Sequence, residues 1–373
     1  MIKMPFIPVS QPFIGERAKE LVNECLDTGW ISSQGTYVGL FEREFAKYVG
    51  ASFAISVTSG TAALHLALMA LEVGPGDEVI VPDLTFAATA NAVLLCGARP
   101  VLCAVESATW TMDLRDCESL ISPKTKAIIP VHLYGNPVDM NALLKLAESR
   151  EIAIIEDCAE SLGATLNEEH MGTFGTVGCY SFFANKLLST GEGGMLTTND
   201  AQLADRIRVL RDHGMSPEKR YWHEFAGLNY RMTNIQAAIG VAQLELLDEF
   251  TSLRTHQELL YKDLLSGVEG IIFKKEVDGA KPVNWLMSLR LVSTDESKNI
   301  KTLHQWLREN NVDSRPFFFP LHEQPPYFDN REALKSTNIL SQSGLSLPTF
   351  IGLKDEQIEQ ICQLITRFMT TNI

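Results

Sequence analysis

Short apolar runs rich in valine and isoleucine alternate with helical patterns between residues 59 and about 182. The apolar runs cover residues 78–81, 101–105, 127–131, 152–155 and 177–182. Strands that are apolar along their whole length and separated by helices are typical of a parallel sheet covered on both faces. This alternation predicts an α/β fold with a mostly parallel central sheet and helices on both faces.

The last third of the chain has a different pattern. Apolar residues at helical spacing predict one long amphipathic helix over residues 234–250, and the alternation becomes less regular beyond it. Further helices are predicted at residues 301–309 and 355–369. Since 373 residues exceed one minimal domain, we expect a large domain at residues 1–250 and a small C-terminal α+β domain at residues 251–373.

Charge and cysteine content exclude several classes of protein. The chain has 46 acidic and 32 basic residues, a formal charge of −14, and no run of lysines and arginines, which argues against nucleic acid as a partner. Its seven cysteines are scattered without a C-x-x-C pair, as expected in a reducing compartment. There is no 18-residue apolar stretch, and the apolar run at the start of the sequence is too short for a secretory leader. We expect a cytoplasmic protein without a membrane partner.

Common ligand-binding motifs are missing from the sequence. No G-x-G-x-x-G follows a predicted strand, and neither G-x-x-x-x-G-K-[ST], H-E-x-x-H nor G-x-S-x-G occurs. The usual dinucleotide, nucleotide, zinc-protease and hydrolase interpretations therefore lack their motifs, and no metal site is expected.

Three polar features lie where a parallel sheet binds its ligands. The run TSGTAAL at residues 58–64 opens an apolar helix, whose N-terminus suits a phosphate, although Ser or Thr there is also an ordinary helix cap. Asp157 follows an apolar run, where a carboxylate either holds a pyridine nitrogen protonated or caps the next helix. Lys186 follows another, beside the glycine-rich GEGGM at residues 191–195, and is either a desolvated Schiff-base amine or a solvated loop lysine. Only the three in this order indicate pyridoxal phosphate (PLP).

The chain resembles the fold-type I, PLP-dependent aminotransferases that act on nucleotide-linked keto-sugars. The resemblance spans nearly the whole chain and is carried by GWISSQG at residues 29–35, SFFANK at 181–186, RYWH at 220–223, NYRMTN at 229–234 and SRPFFFPLH at 314–322. It implies transfer of an amino group from L-glutamate to the C4 keto carbon of a nucleotide-linked 4-keto-6-deoxy sugar, first of all GDP-4-keto-6-deoxy-D-mannose. Such amino sugars belong to lipopolysaccharide O-antigens.

The resemblance also implies residue roles. Lys186 and Asp157 match the catalytic Schiff-base lysine and the partner of the pyridinium nitrogen. The implied cofactor-binding residues are Gly60, Thr61, Phe86, Asp157, Glu160, Ser181, Lys186 and Asn229. The implied substrate-binding residues are Trp30, Ser32, Arg220, Arg231 and His322. Asn229 matches a residue that reaches the phosphate of the neighbouring subunit, which implies a homodimer with shared active sites.

Some positions depart from the family pattern, and alternatives stay open. Glu160 stands where many relatives have Gln, Ala184 where many have Gly, and Asn-Pro occupies residues 136–137 where Gln is frequent. The sequence leaves open a UDP- or dTDP-linked sugar, amination at C3, a PLP-dependent sugar dehydratase, in which His replaces the lysine, and a non-catalytic binding protein. Arg231 and His322 have an ordinary alternative as salt-bridge or loop-packing residues.

Overall fold

A seven-stranded sheet with helices on both faces forms the centre of the chain in a computed structural model that describes residues 5–148 and 150–371. The helices are α1 (Glu16–Thr28), α2 (Thr36–Val49), α3 (Gly60–Ala70), α4 (Ala88–Leu95), α5 (Leu114–Leu120), α6 (Met140–Glu148), α7 (Ala201–Arg211), α8 (Asn234–Leu244), α9 (Leu247–Leu265), α10 (Ile300–Glu309), α11 (Lys335–Ser343) and α12 (Asp355–Thr370). In the described part of the chain, none of them has the length and apolar character needed to cross a bilayer. The expectation of no secretory leader concerns residues 1–8, and residues 1–4 of this stretch lie outside the described residues.

The strands form three sheets. They are β1 (Phe53–Val57), β2 (Glu78–Pro82), β3 (Arg99–Cys103), β4 (Thr125–Ile128), β5 (Ala153–Asp157), β6 (Thr165–Leu166), β7 (Glu169–His170), β8 (Val177–Ser181), β9 (Gly194–Thr198), β10 (Ile271–Ile272), β11 (Ala280–Lys281), β12 (Met287–Leu291), β13 (Arg315–Pro316) and β14 (Gly344–Leu347). The large sheet has the order β1-β9-β8-β5-β4-β2-β3, and β9 runs antiparallel to both of its neighbours while the other pairings are parallel. The predicted mostly parallel sheet is confirmed.

Two predicted strands lie two residues earlier than expected. The strand expected from residue 101 is β3, which starts at Arg99, and the one expected from residue 127 is β4, which starts at Thr125. β3 is an edge strand of the large sheet, and an edge strand tolerates Pro100 because its second side has no partner. Pro100 therefore lies within β3, although the apolar run in the sequence begins only at residue 101.

Separate apolar cores cover the two faces of the large sheet. One contains residues of α3, α4 and α7, such as Leu66, Val93 and Ile207, and the other contains residues of α2 and α8, such as Phe41 and Ala238. All five side chains are fully buried. Because helices cover both faces, ligands can reach the large sheet only at the ends of its strands or beside its outermost strands.

The long helix predicted over residues 234–250 is wrong: the chain forms two helices there. α8 ends at Leu244, and Leu246 leaves helical geometry with φ −109° and ψ 5° before α9 begins. α8 packs against α1 and α2, whereas α9 packs against α12. The apolar spacing continues across the break because α8 and α9 each bury one apolar face. The two faces pack against different partners.

A four-stranded antiparallel sheet, β10-β12-β14-β13, lies in the last third of the chain. α9, α10 and α12 supply the core on it, including Tyr261, Leu303 and Ile361. The predicted domain boundary at residue 250 falls within α9, and the division into two domains stays a prediction. A further aromatic core, which includes Trp110, Tyr134, Trp285 and Phe317, lies beside the site described below.

Candidate active site

Three parallel strands bring the predicted features to one edge of the large sheet. β1 ends at Val57 just before Gly60, β5 ends at Asp157 and β8 ends at Ser181. The carboxyl ends of parallel strands share an edge, which is the usual ligand-binding crevice of such folds. The predicted order in sequence is therefore a cluster in space.

The start of α3 forms a cradle of backbone N–H groups. Ser59 is the helix cap, and its hydroxyl oxygen accepts a hydrogen bond from the Ala62 N–H. Gly60 lies so close to β8 that a Cβ atom added to it would be 2.8 Å from the Cβ of Ser181. A helix N-terminus carries free N–H donors and positive dipole charge. The cap and the phosphate-site interpretations are thus compatible here, because Ser59 caps the helix while Gly60 and Thr61 begin it.

Asp157 is a buried carboxylate at the end of β5. The Thr89 hydroxyl donates to one carboxylate oxygen at 2.8 Å, and the Ala159 N–H donates to the other at 3.1 Å. Burial raises the pKa of Asp157 from its ordinary value, against the lowering effect of these bonds and of the charge on Lys186. Each oxygen still has a lone pair for a further donor.

Lys186 lies in the same crevice with its side chain only 13% exposed. Its Nζ lies 3.7 Å from Oε1 of Glu160 and 3.8 Å from the ring centroid of Trp285. Burial lowers the pKa of Lys186, and the charges of Glu160 and Asp157 act against that shift. A desolvated amine with a lowered pKa is a better nucleophile and base than a surface lysine, so the solvated-lysine alternative does not describe this residue.

Glu160 links Lys186 to a strained turn. Its Oε2 accepts the Tyr134 N–H at 2.8 Å, and Tyr134 has the left-handed backbone angles φ 50° and ψ 32°. Burial raises the pKa of Glu160, and the charge of Lys186 opposes the shift. A non-glycine residue in this region is strained and persists only where the surroundings hold it.

Phe86 and His322 lie on neighbouring segments. Phe86 is 61% exposed, and its ring centroid lies 5.9 Å from that of Phe318, four residues before His322. Both the backbone N–H and Nδ1 of His322 bond to Asp83, at 2.9 and 2.7 Å. The predicted His322 is therefore held firmly beside the segment that carries Phe86, although no contact joins it to Lys186.

The other predicted residues lie on different segments. Arg231 forms a backbone bridge to Val57, next to the cradle, and its guanidinium pairs with Asp212 at 2.7 Å. Arg231 also donates to the side chain of Asn229, which is exposed. This pairing fits the salt-bridge alternative for Arg231, and it joins neither residue to Lys186 within one chain.

The remaining substrate candidates are exposed. Trp30 and Ser32 lie between α1 and α2, where their carbonyl oxygens accept hydrogen bonds from Asn234 at the start of α8. Arg220 stacks on Tyr221 in the loop after α7, with the guanidinium 4.9 Å from the ring centroid. None of these three contacts Lys186 within the described residues.

One group of metal-ligand types is already saturated by other bonds. Glu156 accepts three backbone N–H groups, from residues 172, 174 and 175, and also contacts Nε2 of His132 at 3.2 Å. Nδ1 of His132 accepts the Val138 N–H, so the proton sits on Nε2 and is donated to Glu156. In the group His132, Glu156 and Cys158, the first two residues therefore use these ligand atoms to bond each other and the backbone of residues 138, 172, 174 and 175.

Sequence reasoning missed the residues that complete the first contacts of Asp157 and Lys186. Thr89 lies at the start of α4, and Trp285 precedes β12, about 100 residues beyond Lys186. Neither belongs to a recognisable motif in the sequence.

Comparisons with known proteins agree along the whole chain. The profile of the DegT/DnrJ/EryC1/StrS aminotransferase family matches residues 12–366. GDP-perosamine synthase of Escherichia coli O157:H7 is 42% identical, covering 98% of this chain and 99% of its own, and that of Caulobacter vibrioides is 44% identical, covering 97% and 98%. The UDP-N-acetyl-3-dehydro-alpha-D-glucosamine 3-aminotransferase of Acidithiobacillus ferrooxidans is 38% identical over 87% of both chains.

Solved structures have the same fold. The aminotransferase TlmJ of Streptoalloteichus hindustanus has a TM-score of 0.91 and 30% identity, covering 97% of this chain and 98% of its own. Spr1654 of Streptococcus pneumoniae in its PLP form has a TM-score of 0.91 and 26% identity, covering 98% of both chains. The predicted fold class is confirmed.

Proposed function

Because the chain belongs to the DegT/DnrJ/EryC1/StrS aminotransferase family, we propose that it transfers the amino group of L-glutamate, with PLP as cofactor, to C4 of GDP-4-keto-6-deoxy-D-mannose. The product is GDP-perosamine. The observation that carries this proposal is the buried Lys186 amine between Glu160 and Trp285, at the sheet edge that also holds Asp157. The identity to two GDP-perosamine synthases supports the choice of substrate.

The residues at this edge fit PLP. Gly60 and Ser181 lie so close together that a side chain at residue 60 would clash with Ser181. Glycine therefore allows the helix start and the strand end to form the proposed phosphate cradle together. Asp157 keeps free lone pairs for a pyridinium N–H, and Phe86 offers an exposed ring at the same edge. Lys186 supplies the amine that binds an aldehyde. When bound, PLP supplies a ring that withdraws the electron pair left as a proton leaves the amine-bearing carbon.

Lys186 moves the protons of the proposed reaction. Its Nζ takes the proton from the amine-bearing carbon of glutamate and later returns one to the sugar carbon. The lowered pKa keeps a larger fraction of the amine neutral and able to accept that proton. Glu160 attracts the amine once the amine has taken up a proton, and the Trp285 ring covers the amine, so that the Lys186 side chain is only 13% exposed.

Asp157 holds the pyridine nitrogen protonated. The bonds from Thr89 and Ala159 fix the carboxylate, so its remaining lone pairs have a set direction. A cationic N–H beside Asp157 removes the penalty of a buried lone charge and favours the carboxylate form. Asp157 thereby maintains the electron-withdrawing character of the ring.

The proposed assembly is a homodimer in the cytoplasm. Asn229 is exposed and accepts hydrogen bonds from Arg231, and no contact joins it to Lys186 in the described part of one chain, which supports Asn229 acting in the active site of a second copy. The diphosphate of the sugar needs local cations although the chain is acidic, and Arg220 and Arg231 are the proposed ones.

The test is an amination assay with L-glutamate and a panel of GDP-, UDP- and dTDP-linked keto-sugars, with the amino position read by NMR. We expect amination at C4 of the GDP sugar, no product from Lys186→Ala and full activity from Lys47→Ala, which changes an exposed lysine on α2. A purified protein that stays colourless with added PLP and makes no amino sugar would refute the proposal.

The relative that aminates C3 of a UDP sugar supports one specific alternative, a different nucleotide or carbon. The same panel separates the two, because both the base and the amino position are read from the product. Amination of a UDP sugar at C3, with none of the GDP sugar, would keep the aminotransferase and correct the substrate.

A further inference from the structure

Two buried cations bond to the same dipeptide, Asn284–Trp285, beside Lys186. The ammonium of Lys274 donates to Oδ1 of Asn284 at 2.8 Å, and the guanidinium of Arg254 donates to the Trp285 carbonyl oxygen at 3.3 Å. Within residues 5–148 and 150–371, neither cation has a carboxylate at ion-pair distance. Burial lowers the pKa of Lys274 to about 8 and that of Arg254 to about 9.

A buried cation without an anion partner is costly to the fold. Apolar residues of the same volume in place of buried charges are often neutral or stabilising. A lysine that only filled space at position 274 would therefore be disfavoured against methionine. The structure instead directs the ammonium of Lys274 at two acceptors, and both acceptors lead to Lys186.

The first acceptor leads to Lys186 through Glu160. Nζ of Lys274 donates to the Tyr134 carbonyl oxygen at 2.7 Å. The N–H of the same strained residue, Tyr134, donates to Glu160, whose other oxygen lies 3.7 Å from Nζ of Lys186. Because the left-handed turn needs outside support, the Lys274 bond helps to keep the Tyr134 N–H directed at Glu160.

The second acceptor leads to Lys186 through Trp285. Asn284, held by Lys274, directly precedes Trp285, whose ring lies 3.8 Å from Nζ of Lys186. The indole N–H of Trp285 also donates to the carbonyl oxygen of Asn185, the residue before Lys186. The ring is thus fixed to the lysine segment through its N–H, and the residue before it, Asn284, is fixed by Lys274.

We propose that Lys274 is a positioning residue for Lys186: its ammonium joins the two segments that contact the Lys186 amine and so presents that amine to the aldehyde of the cofactor. This inference rests on the proposed function. Loss of the ammonium frees the Tyr134 turn and Asn284 together, so both the Glu160 carboxylate and the Trp285 ring lose their fixed positions.

The experiment measures how fast cofactor-free protein captures added PLP, from the absorbance of the lysine-bound aldehyde. In Lys274→Met we expect slower capture, by up to about 100-fold, which is the effect of a reacting group misplaced by about 1 Å. Lys274→Gln keeps an N–H donor and gives an intermediate rate. Lys275→Met, at the exposed neighbouring lysine, captures at the wild-type rate.

Steady-state kinetics and circular dichroism complete the test. We expect Lys274→Met to lower kcat with little change in the KM of the keto-sugar, because Lys274 bonds to Tyr134 and Asn284 and to none of the proposed substrate-binding residues. If Lys274→Met fails to fold, the rate of the Gln variant decides. Capture at the wild-type rate in a folded Lys274 variant, or equal slowing in Lys275→Met, overturns the inference. Wild-type protein that captures no PLP refutes the proposed function itself, and the inference with it.

Discussion

Asp157 is a buried carboxylate, and its ionised form becomes favourable only beside a cationic partner. Thr89 and Ala159 each donate one hydrogen bond to it, and burial raises its pKa. Asparagine fits the same place, because its oxygen can accept the Ala159 N–H and its amide can donate to the Thr89 hydroxyl. The substitution Asp157→Asn therefore separates charge from packing.

We predict that Asp157→Asn lowers kcat by roughly 100- to 1000-fold, the range for removal of one preorganised electrostatic contact. The measurement is glutamate-dependent amination by cofactor-loaded protein. Asp113→Asn is the matched control, since Asp113 caps α5 away from the site and Asn is an equally good cap. Equal turnover in wild type and Asp157→Asn would contradict the role of Asp157.

Asp157 should also make the stability of the cofactor-free protein depend on pH. Because the folded pKa of Asp157 is raised, its contribution to stability is fully present below the unfolded pKa and is lost as pH rises through the folded pKa. We predict that the free energy of unfolding of Asp157→Asn relative to wild type increases with pH across that window. Urea unfolding at several pH values measures it, and a constant difference would contradict the buried charge.

At this scale the sequence predicted the site only in part. Asp157 and Lys186 follow apolar strands, so local pattern and chain order were enough to propose them as candidates. Trp285, Tyr134 and Lys274 could not be predicted, because their contacts with the site come from turns whose folded positions no local periodicity encodes.

The start of α3 shows how an element is fitted to its ligand. Gly60 packs against Ser181 of β8 with no room for a side chain. A methyl group there must displace either the helix N-terminus or the strand, and both line the proposed phosphate cradle.

We predict that Gly60→Ala destabilises the protein by about 1–3 kcal/mol, as overpacking does, and weakens PLP binding. Thermal unfolding and PLP titration measure the two effects. Gly39→Ala in α2 is the matched control, since its added Cβ meets only Arg43 at 3.5 Å and a helical glycine gains roughly 0.5–1 kcal/mol on change to alanine. Wild-type PLP affinity in Gly60→Ala would contradict the cradle.

Periodicity predicted the five strands β2, β3, β4, β5 and β8 and the helices α10 and α12, and the differences in their neighbourhood have physical causes. The break between α8 and α9 was hidden because apolar spacing continues through Leu246, whose backbone alone changes direction. The early start of β3 was hidden by Pro100, which an edge strand accepts.

The whole molecule needs a second copy if Asn229 serves a neighbouring site. Lys186→Ala and Asn229→Ala then damage different subunits of each shared site. A mixed dimer of the two variants has one site with both wild-type residues.

We predict that mixing the two inactive variants, with subunit exchange, restores about a quarter of wild-type activity, the statistical share for a symmetric dimer. Lys186→Ala mixed with Lys47→Ala is the control, and it keeps half of the wild-type activity whether or not the subunits exchange. Exchange in the test pair is therefore measured by native mass spectrometry, and complete exchange without recovery of activity would place Asn229 in its own chain's site.

The central claim is that this chain is an aminotransferase acting through Lys186, and one half of the reaction tests it without the sugar. Cofactor-loaded protein mixed with L-glutamate alone should release about one 2-oxoglutarate per chain and lose the absorbance of the lysine-bound cofactor, as a ping-pong enzyme does. Absence of 2-oxoglutarate from the wild type, or equal release by Lys186→Ala, would contradict the claim.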